Sequence, residues 1–219
     1  MAGRFIVFEG GDCSGKDTQI DWLRDNLPAD KFTFTKEPGG TAIGQRIRDL
    51  LLADSSNNMF SETELLLFSA SRAQLVREII RPELAKEKHL IVNRFFLSTL
   101  AYQIYGREKL EQLPLLEKIT SLALDGTFPD LYIFIDVPPE VALRRLSDRP
   151  DEKNRLDKED LTFHQRVHQG YLEGLKNLPH IKIDGTKSVE EVREDIINGL
   201  IKFFPDDGFE HFFKIAEVN

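Results

Sequence analysis

The stretch Gly10-Gly11-Asp12-Cys13-Ser14-Gly15-Lys16 constrains this chain more than any other feature. It fits G-x-x-x-x-G-K, a pattern that carries information only between a strand and a helix. Both flanks are present. Residues 4–9 (RFIVFE) form a β-branched and aromatic run that ends at glycines, and residues 15–27 read as a helix stopped by Pro28. Consecutive backbone N–H groups in such a loop, with a helix N-terminus behind them, make a nest for phosphate oxygens that Lys16 can also reach. A chance cluster of turn glycines is the competing account, and the strand and helix argue against it.

The same alternation continues along the chain. Residues 31–36 (KFTFTK) alternate as a second strand and break at Pro38-Gly39-Gly40. Ser61 with Glu64 three residues later has the form of a capping box, continued at helical spacing by Leu65, Phe68, Arg72, Leu75, Val76 and Ile79. Residues 89–92, 132–137 and 181–183 read as strands, and 140–146 as a helix. Val189, Val192, Ile196, Ile197, Leu200 and Ile201 mark one face of a last helix. The pattern predicts an α/β fold, a five-stranded parallel sheet with helices on both faces, whose ligands bind beyond the carboxyl ends of the strands. Residues 147–160 are charged and poor in apolar side chains, so they are expected to stay out of the core. With no repeat or linker, residues 1–219 are expected to form one domain.

Composition narrows the function. A 41% hydrophobic and 30% charged chain of 219 residues has enough apolar material for a substantial core. A net charge of −8 argues against duplex nucleic acid as a non-specific partner, while small anions need only a local cluster of cations. No apolar run approaches the roughly 18 to 20 residues of a membrane-spanning helix, and neither anchor nor signal peptide is expected. The single Cys13 cannot form an intrachain disulfide and fits a reducing, cytoplasmic setting.

Six stretches then combine: 5–19 (FIVFEGGDCSGKDTQ), 35–41 (TKEPGGT), 65–76 (LLLFSASRAQLV), 93–103 (NRFFLSTLAYQ), 129–143 (PDLYIFIDVPPEVAL) and 166–172 (RVHQGYL). Through their order and spacing the sequence resembles the thymidylate kinase family of nucleoside monophosphate kinases, with the tail 205–219 outside the likeness. The resemblance implies a P-loop NTP hydrolase-type three-layer sandwich with a mobile lid at about residues 144–158. It further implies transfer of the γ-phosphate of ATP to dTMP with Mg2+, in a homodimer. Such transfer asks a protein mainly to position two anions and neutralise developing charge.

Carried over residue by residue, the resemblance places Gly10, Gly11, Asp12, Cys13, Ser14, Gly15, Lys16, Asp17, Thr18 and Arg144 around ATP. It places Asp12, Glu37, Pro38, Arg48, Phe68, Arg72, Arg94, Ser98, Tyr102, Gln103 and Tyr171 around dTMP. Lys16, Arg94 and Asp12 become candidate catalytic groups, joined by Arg149 and Arg155 as lid contacts to the ATP phosphates. A solvated charged loop is the alternative for the lid. Phe68 matches the ring that stacks on thymine, and Arg72, one helical turn on, matches the base-reading arginine. Arg48 and Arg94 match the acceptor-phosphate arginines, and Tyr102 matches the aromatic beside the sugar 2′ position.

Two positions near the metal depart from the family. Asp17 stands where Ser or Thr is usual, and Asn93 where Asp is usual. In the first helical turn Asp17 gains about 0.3–1 kcal/mol from the helix dipole. An unscreened carboxylate about 4 Å from a phosphate charge costs roughly 4 kcal/mol at an effective dielectric near 20. Repulsion wins unless a cation lies between, so Asp17 is expected to face Mg2+ directly or through water, with Asn93 acting through water. The carboxylate gained at 17 then offsets the one lost at 93. Lys36 and Ile104 replace the usual Arg and Gly and are milder changes.

For Cys13, an oxidation-sensitive thiol and a tolerated small side chain both stay open. Three activities fit the sequence. They are dTMP kinase, a kinase for another monophosphate such as dUMP, and a non-catalytic nucleotide-binding relative. One methyl group separates the first two substrates by only about 1–3 kcal/mol. Phe209, Phe212 and Phe213 in the tail are expected either to pack back on the domain or to join a subunit interface.

Overall fold

Alternation along the first strand decides how the molecule is layered. In the computed structural model, which describes residues 2–148 and 154–216, β1 (Phe5–Glu9) is buried throughout. Phe5 and Val7 point into one apolar cluster and Ile6 and Phe8 into another. A period of two thus divides the core between the two faces of the sheet.

The phosphate loop leads from β1 into α1 (Lys16–Asn26), followed by β2 (Phe32–Lys36) and α2 (Ala42–Leu52). Next comes α3 (Ser61–Leu75), which widens into a π-helical turn over Val76–Ile80 and ends as α4 (Arg81–Ala85). After β3 (His89–Asn93), α5 (Phe96–Thr99) continues as a π-helical stretch, Leu100–Gly106, before α6 (Leu113–Leu124). The chain then forms β4 (Leu131–Asp136), α7 (Pro139–Asp148), α8 (Leu161–Leu175) and β5 (His180–Asp184). It closes with α9 (Val189–Phe203) and α10 (Phe209–Ala216).

The five strands pair in the order β2-β3-β1-β4-β5, all parallel, with Val7 opposite both Val92 and Tyr132. Strand order reverses direction around β1, and the crevice at that reversal is where ligands enter such sheets. One face carries Leu75, Val92, Phe134 and Tyr171, and the other packs Ile133 and Ile135 against Ile20 of α1 and Ile196 of α9. At the sheet edge, β5 leaves His180, Lys182 and Asp184 exposed. No helix among the described residues is long and apolar enough to cross a membrane.

Two local expectations are corrected. Phe60 precedes α3 as its cap with no side-chain hydrogen bond, and Ser61 is the first helical residue. Glu64 does not reach back to the cap because it is drawn inward, 1% exposed, to Arg155 and Arg107. The two-way capping box forms instead at Ser188 and Glu191, opening α9. Within residues 147–160, Arg155, Leu156 and Asp157 are buried and Leu156 joins the core, because their charges find partners there.

The tail packs back on the domain. Phe209 and Phe213 are buried, with the Phe209 ring 5.5 Å from Phe204 and 6.0 Å from Phe32. Asp207 accepts from Arg4 Nε at 2.6 Å. His89 stacks on Phe32 at 5.0 Å, and its Nδ1 accepts the Arg4 backbone N–H at 3.2 Å.

Burial holds the His89 imidazole below its ordinary range; Arg4 adds to this, while Asp207 and Asp130 oppose it. The unfolded chain therefore binds this proton more readily, and stability falls as pH drops through about 6.5 toward the lower folded value. Urea midpoints measured at about pH 7.5 and about pH 5.5 should show a larger acid loss for the native chain than for His89→Gln, which keeps an acceptor for Arg4. Equal losses would show that His89 does not carry this pH dependence.

Candidate active site

The loop leaves β1 through Gly10, whose φ of 149° suits glycine. A Cβ there would lie 2.6 Å from the Ile135 carbonyl oxygen, so the loop passes β4 only without a side chain. Gly15, at φ 93°, starts α1. Lys16 Nζ donates to the Gly10 carbonyl (2.9 Å), the Gly11 carbonyl (2.7 Å) and Ser14 Oγ (3.1 Å). Burial pulls the Lys16 pKa down to about 7, and Arg94 acts in the same direction. Cys13 is half-buried at φ 56°, while Asp17 and Thr18 are exposed on the first turn of α1.

Just beyond β3, Arg94 takes a left-handed backbone at φ 65°. Its guanidinium donates to the Gly10 carbonyl (2.9 Å), Ser98 Oγ (3.1 Å), the Tyr171 hydroxyl (2.8 Å) and the Asp12 carboxylate (2.6 Å). The Tyr102 hydroxyl donates to the other Asp12 oxygen at 2.6 Å. Burial alone would raise the Asp12 carboxyl, but Arg94, Lys16 and Tyr102 together hold it below the usual range.

Glu9, which ends β1, was not anticipated as a site residue. Fully buried, it accepts from Phe95 N (2.8 Å), Ser98 N (3.3 Å) and Ser98 Oγ (2.6 Å), and so pins the turn that presents Arg94. Burial pushes its carboxyl up, against Ser98 and Arg94. The one sequence signal was a charge closing an otherwise apolar strand.

A cleft opens beside Arg94. Asp12, Glu37, Pro38, Arg48, Phe68, Arg94, Ser98, Tyr102 and Gln103 line it, so most of the expected acceptor residues meet in one place. Asn154 and Leu156 also line it and were not expected to. Arg48 Nη1 donates to the Pro38 carbonyl at 3.1 Å. Behind the cleft Arg72 is fully buried, with Nε 3.0 Å from Glu37 and Nη2 shared between Glu37 and Thr99. Its guanidinium lies 5.5 Å from the Phe95 ring, and its Nη1 has no partner. Burial raises the Glu37 carboxyl while Arg72 opposes the rise.

Arg144, expected beside ATP, and its neighbour Arg145 stand differently toward the phosphate loop. Arg144 is exposed on α7, whereas Arg145 reaches the loop, with Nη1 3.4 Å from the Cys13 carbonyl and Nη2 2.9 Å from the Gly185 carbonyl. Neighbours on a helix point about 100° apart, and Arg145 is the one turned inward. Arg149 lies outside the described residues. Arg155 is not at the phosphate loop: it donates to the Leu51 carbonyl (2.7 Å) and Glu64 (2.9 Å), because a buried guanidinium needs this countercharge.

Asp17 and Asn93 meet. Asn93 Nδ2 donates to Asp17 Oδ1 at 2.7 Å, and Asn93 Oδ1 is buried without a partner. A carboxylate and an orphaned amide oxygen are hard donors that suit Mg2+, which commonly takes one or two protein oxygens plus phosphates. No cluster of three His, Cys, Asp or Glu suited to a metal occurs among the described residues.

The family model described as thymidylate kinase matches residues 8–196. The chain belongs to the thymidylate kinase family. A thymidylate kinase of Kosmotoga olearia is 44% identical over 201 residues, 90% of this chain and 95% of its own. One from Carboxydothermus hydrogenoformans is 45% identical over 88% of this chain and 94% of its own. The crystal structure of thymidylate kinase from Ehrlichia chaffeensis superposes with a TM-score of 0.71 at 29% identity, covering 91% of this chain and 99% of that one.

In this thymidylate kinase family member the Glu9 contacts are open to test. Glu9→Ala leaves buried N–H groups unpaired and should lower stability by roughly 2–4 kcal/mol in urea unfolding, with Glu9→Gln losing about half as much. An unchanged midpoint in Glu9→Ala would show that the turn holds itself.

Proposed function

We propose that this chain is a dTMP kinase, transferring the γ-phosphate of ATP to dTMP to give dTDP and ADP. One observation carries the proposal. The cleft holding Phe68 and Arg94 is joined to the phosphate loop through Arg94, which touches Gly10 and Asp12 at once. An acceptor phosphate beside Arg48 and Arg94 would therefore lie next to a γ-phosphate held by the loop and Lys16. A phosphate oxygen of dTMP forms the new bond to the γ-phosphorus, and the bond from that phosphorus to the β–γ bridging oxygen breaks as ADP leaves. Lys16 and Arg94 neutralise the charge that develops. The orphaned Nη1 of Arg72 is a donor suited to a base carbonyl, and Phe68, one turn away, supplies a stacking face.

Mg2+ belongs to the same proposal, with Asp17 and Asn93 as its candidate protein oxygens; when bound it supplies neutralisation of phosphate charge. Purified protein given ATP and dTMP should form ADP and dTDP in equal amounts only with Mg2+, and faster than with dUMP. Binding of both nucleotides without product would favour the non-catalytic reading. Asp17→Thr and Asn93→Asp should each weaken turnover and Mg2+ affinity, and the double variant should recover most of both. Additive losses in that cycle would refute the exchange of carboxylates.

The proposal extends to a cytoplasmic homodimer. Leu66 on α3 and Leu122 on the neighbouring α6 are exposed large apolar side chains, suited to an interface. Sedimentation should give twice the mass of one chain, and the double variant Leu66→Asp/Leu122→Asp should sediment as a monomer. A native chain that sediments as a monomer would sink the dimer.

A further inference from the structure

Arg155 falls within the segment that the family resemblance marks as a lid, yet its partners belong to the acceptor side. It is 8% exposed and bridges the Leu51 carbonyl on α2 to Glu64 on α3. Glu64, 1% exposed, also accepts from Gln103 Nε2 and Arg107 Nε, each at 3.3 Å. Gln103 itself lines the acceptor cleft. The residues on either side of Arg155 line it too: Leu156 sits in the same apolar cluster as Phe68 and Tyr102, and Asn154 stands beside it. Asn154 is fixed in turn, its Oδ1 accepting from Leu156 N (2.9 Å) and its Nδ2 donating to Asp157 (2.6 Å).

A short turn with one apolar side chain would not hold this place unaided. Leu156 is its only core contribution, and ordering each residue costs about 1–2 kcal/mol of backbone entropy. Two bonds from Arg155, one of them to a charged partner, fasten residues 154–157 to α2 and α3. The planar guanidinium can address the carbonyl and the carboxylate at the same time, which an ammonium cannot.

We propose that Arg155 is a positioning residue for the phosphate acceptor: its grip on Glu64 and the Leu51 carbonyl holds Asn154 and Leu156 as one wall of the acceptor pocket. This rests on the reading of that pocket as the dTMP site. It differs from a lid arginine that touches the ATP phosphates, and the two roles separate in steady-state kinetics. A group bound to the transferring phosphate acts on kcat and on the ATP term, whereas loss of an acceptor wall acts on the KM for dTMP.

The test uses the full chain. Arg155→Ala leaves Glu64 paired with Arg107 and Gln103, so the carboxylate is not stranded. Its KM for dTMP should rise on the order of tenfold, the loss of one charge-assisted hydrogen bond, with kcat and the ATP KM within about twofold. Arg155→Lys, able to keep one of the two bonds, should fall between. Leu156→Ala should raise the same KM, and combining it with Arg155→Lys should add little, since both open the same wall.

Calorimetric titration of dTMP without ATP should show the same weakening, which a purely stabilising ion pair would not produce. A fall in kcat or a rise in the ATP KM with dTMP binding unchanged would overturn the proposal, as would additive effects in the double variant. If Arg155→Ala does not fold, the Arg155→Lys and Leu156→Ala cycle decides alone. Native protein that binds and phosphorylates dTMP while these variants match it would remove the positioning role and leave the kinase reading standing. A native chain that binds no dTMP would overturn both.

Discussion

At the carboxyl edge of the sheet, Arg94 is bound at once by the Gly10 carbonyl, the Asp12 carboxylate, Ser98 and Tyr171. The pairing of β1 with β3 makes this meeting inevitable, because Phe8 lies opposite Asn93 and Arg94 N donates to the Phe8 carbonyl. A left-handed backbone at a residue with a long side chain costs on the order of 1–3 kcal/mol, and the bonds made by Glu9 beyond it offset that strain. The phosphate loop and the cleft share this one cation. Arg94, presented from rigid strands, therefore ties the placement of one to that of the other.

The helical irregularities serve the same placement. Tyr102 and Gln103 are neighbours in sequence, and both line the cleft. In a regular α-helix they would diverge by about 100°. They fall within the π-helical stretch Leu100–Gly106, whose wider turn brings adjacent side chains closer in direction. Gly170 on α8 completes the fit, since a Cβ there would come within 2.8 Å of the Ala101 Cα and Tyr105.

What the sequence made legible was what local chemistry writes. Gly10 to Lys16 needed only their own spacing and flanks, and the five strands needed only apolar runs and turn residues. Phe68 and Arg72 were placed on one helix face by a four-residue interval, and the cleft wall and the guanidinium behind it follow from that. What stayed illegible depends on contacts across the chain. Glu9 finds its partners at Phe95 and Ser98, far along the sequence, and looks locally like the end of any strand. Glu64 has the spacing of a cap but is claimed by Arg155 and Arg107, an outcome that no local rule contains. Arg144 and Arg145 differ only in which way the helix turns them, and that is fixed by packing rather than by residue type.

The edge of the sheet has a consequence of another kind. An outer strand offers its unpaired backbone groups to any passing strand, and a long apolar one invites fibrous growth. Here β5 alternates His180, Lys182 and Asp184 with Ile181 and Ile183, and Lys182 is held to Asp136 on the neighbouring strand at 2.7 Å. A foreign strand docking there would have to lay its own side chains against His180, Lys182 and Asp184. The same alternation that seals the core inward thus guards the β5 edge against aggregation.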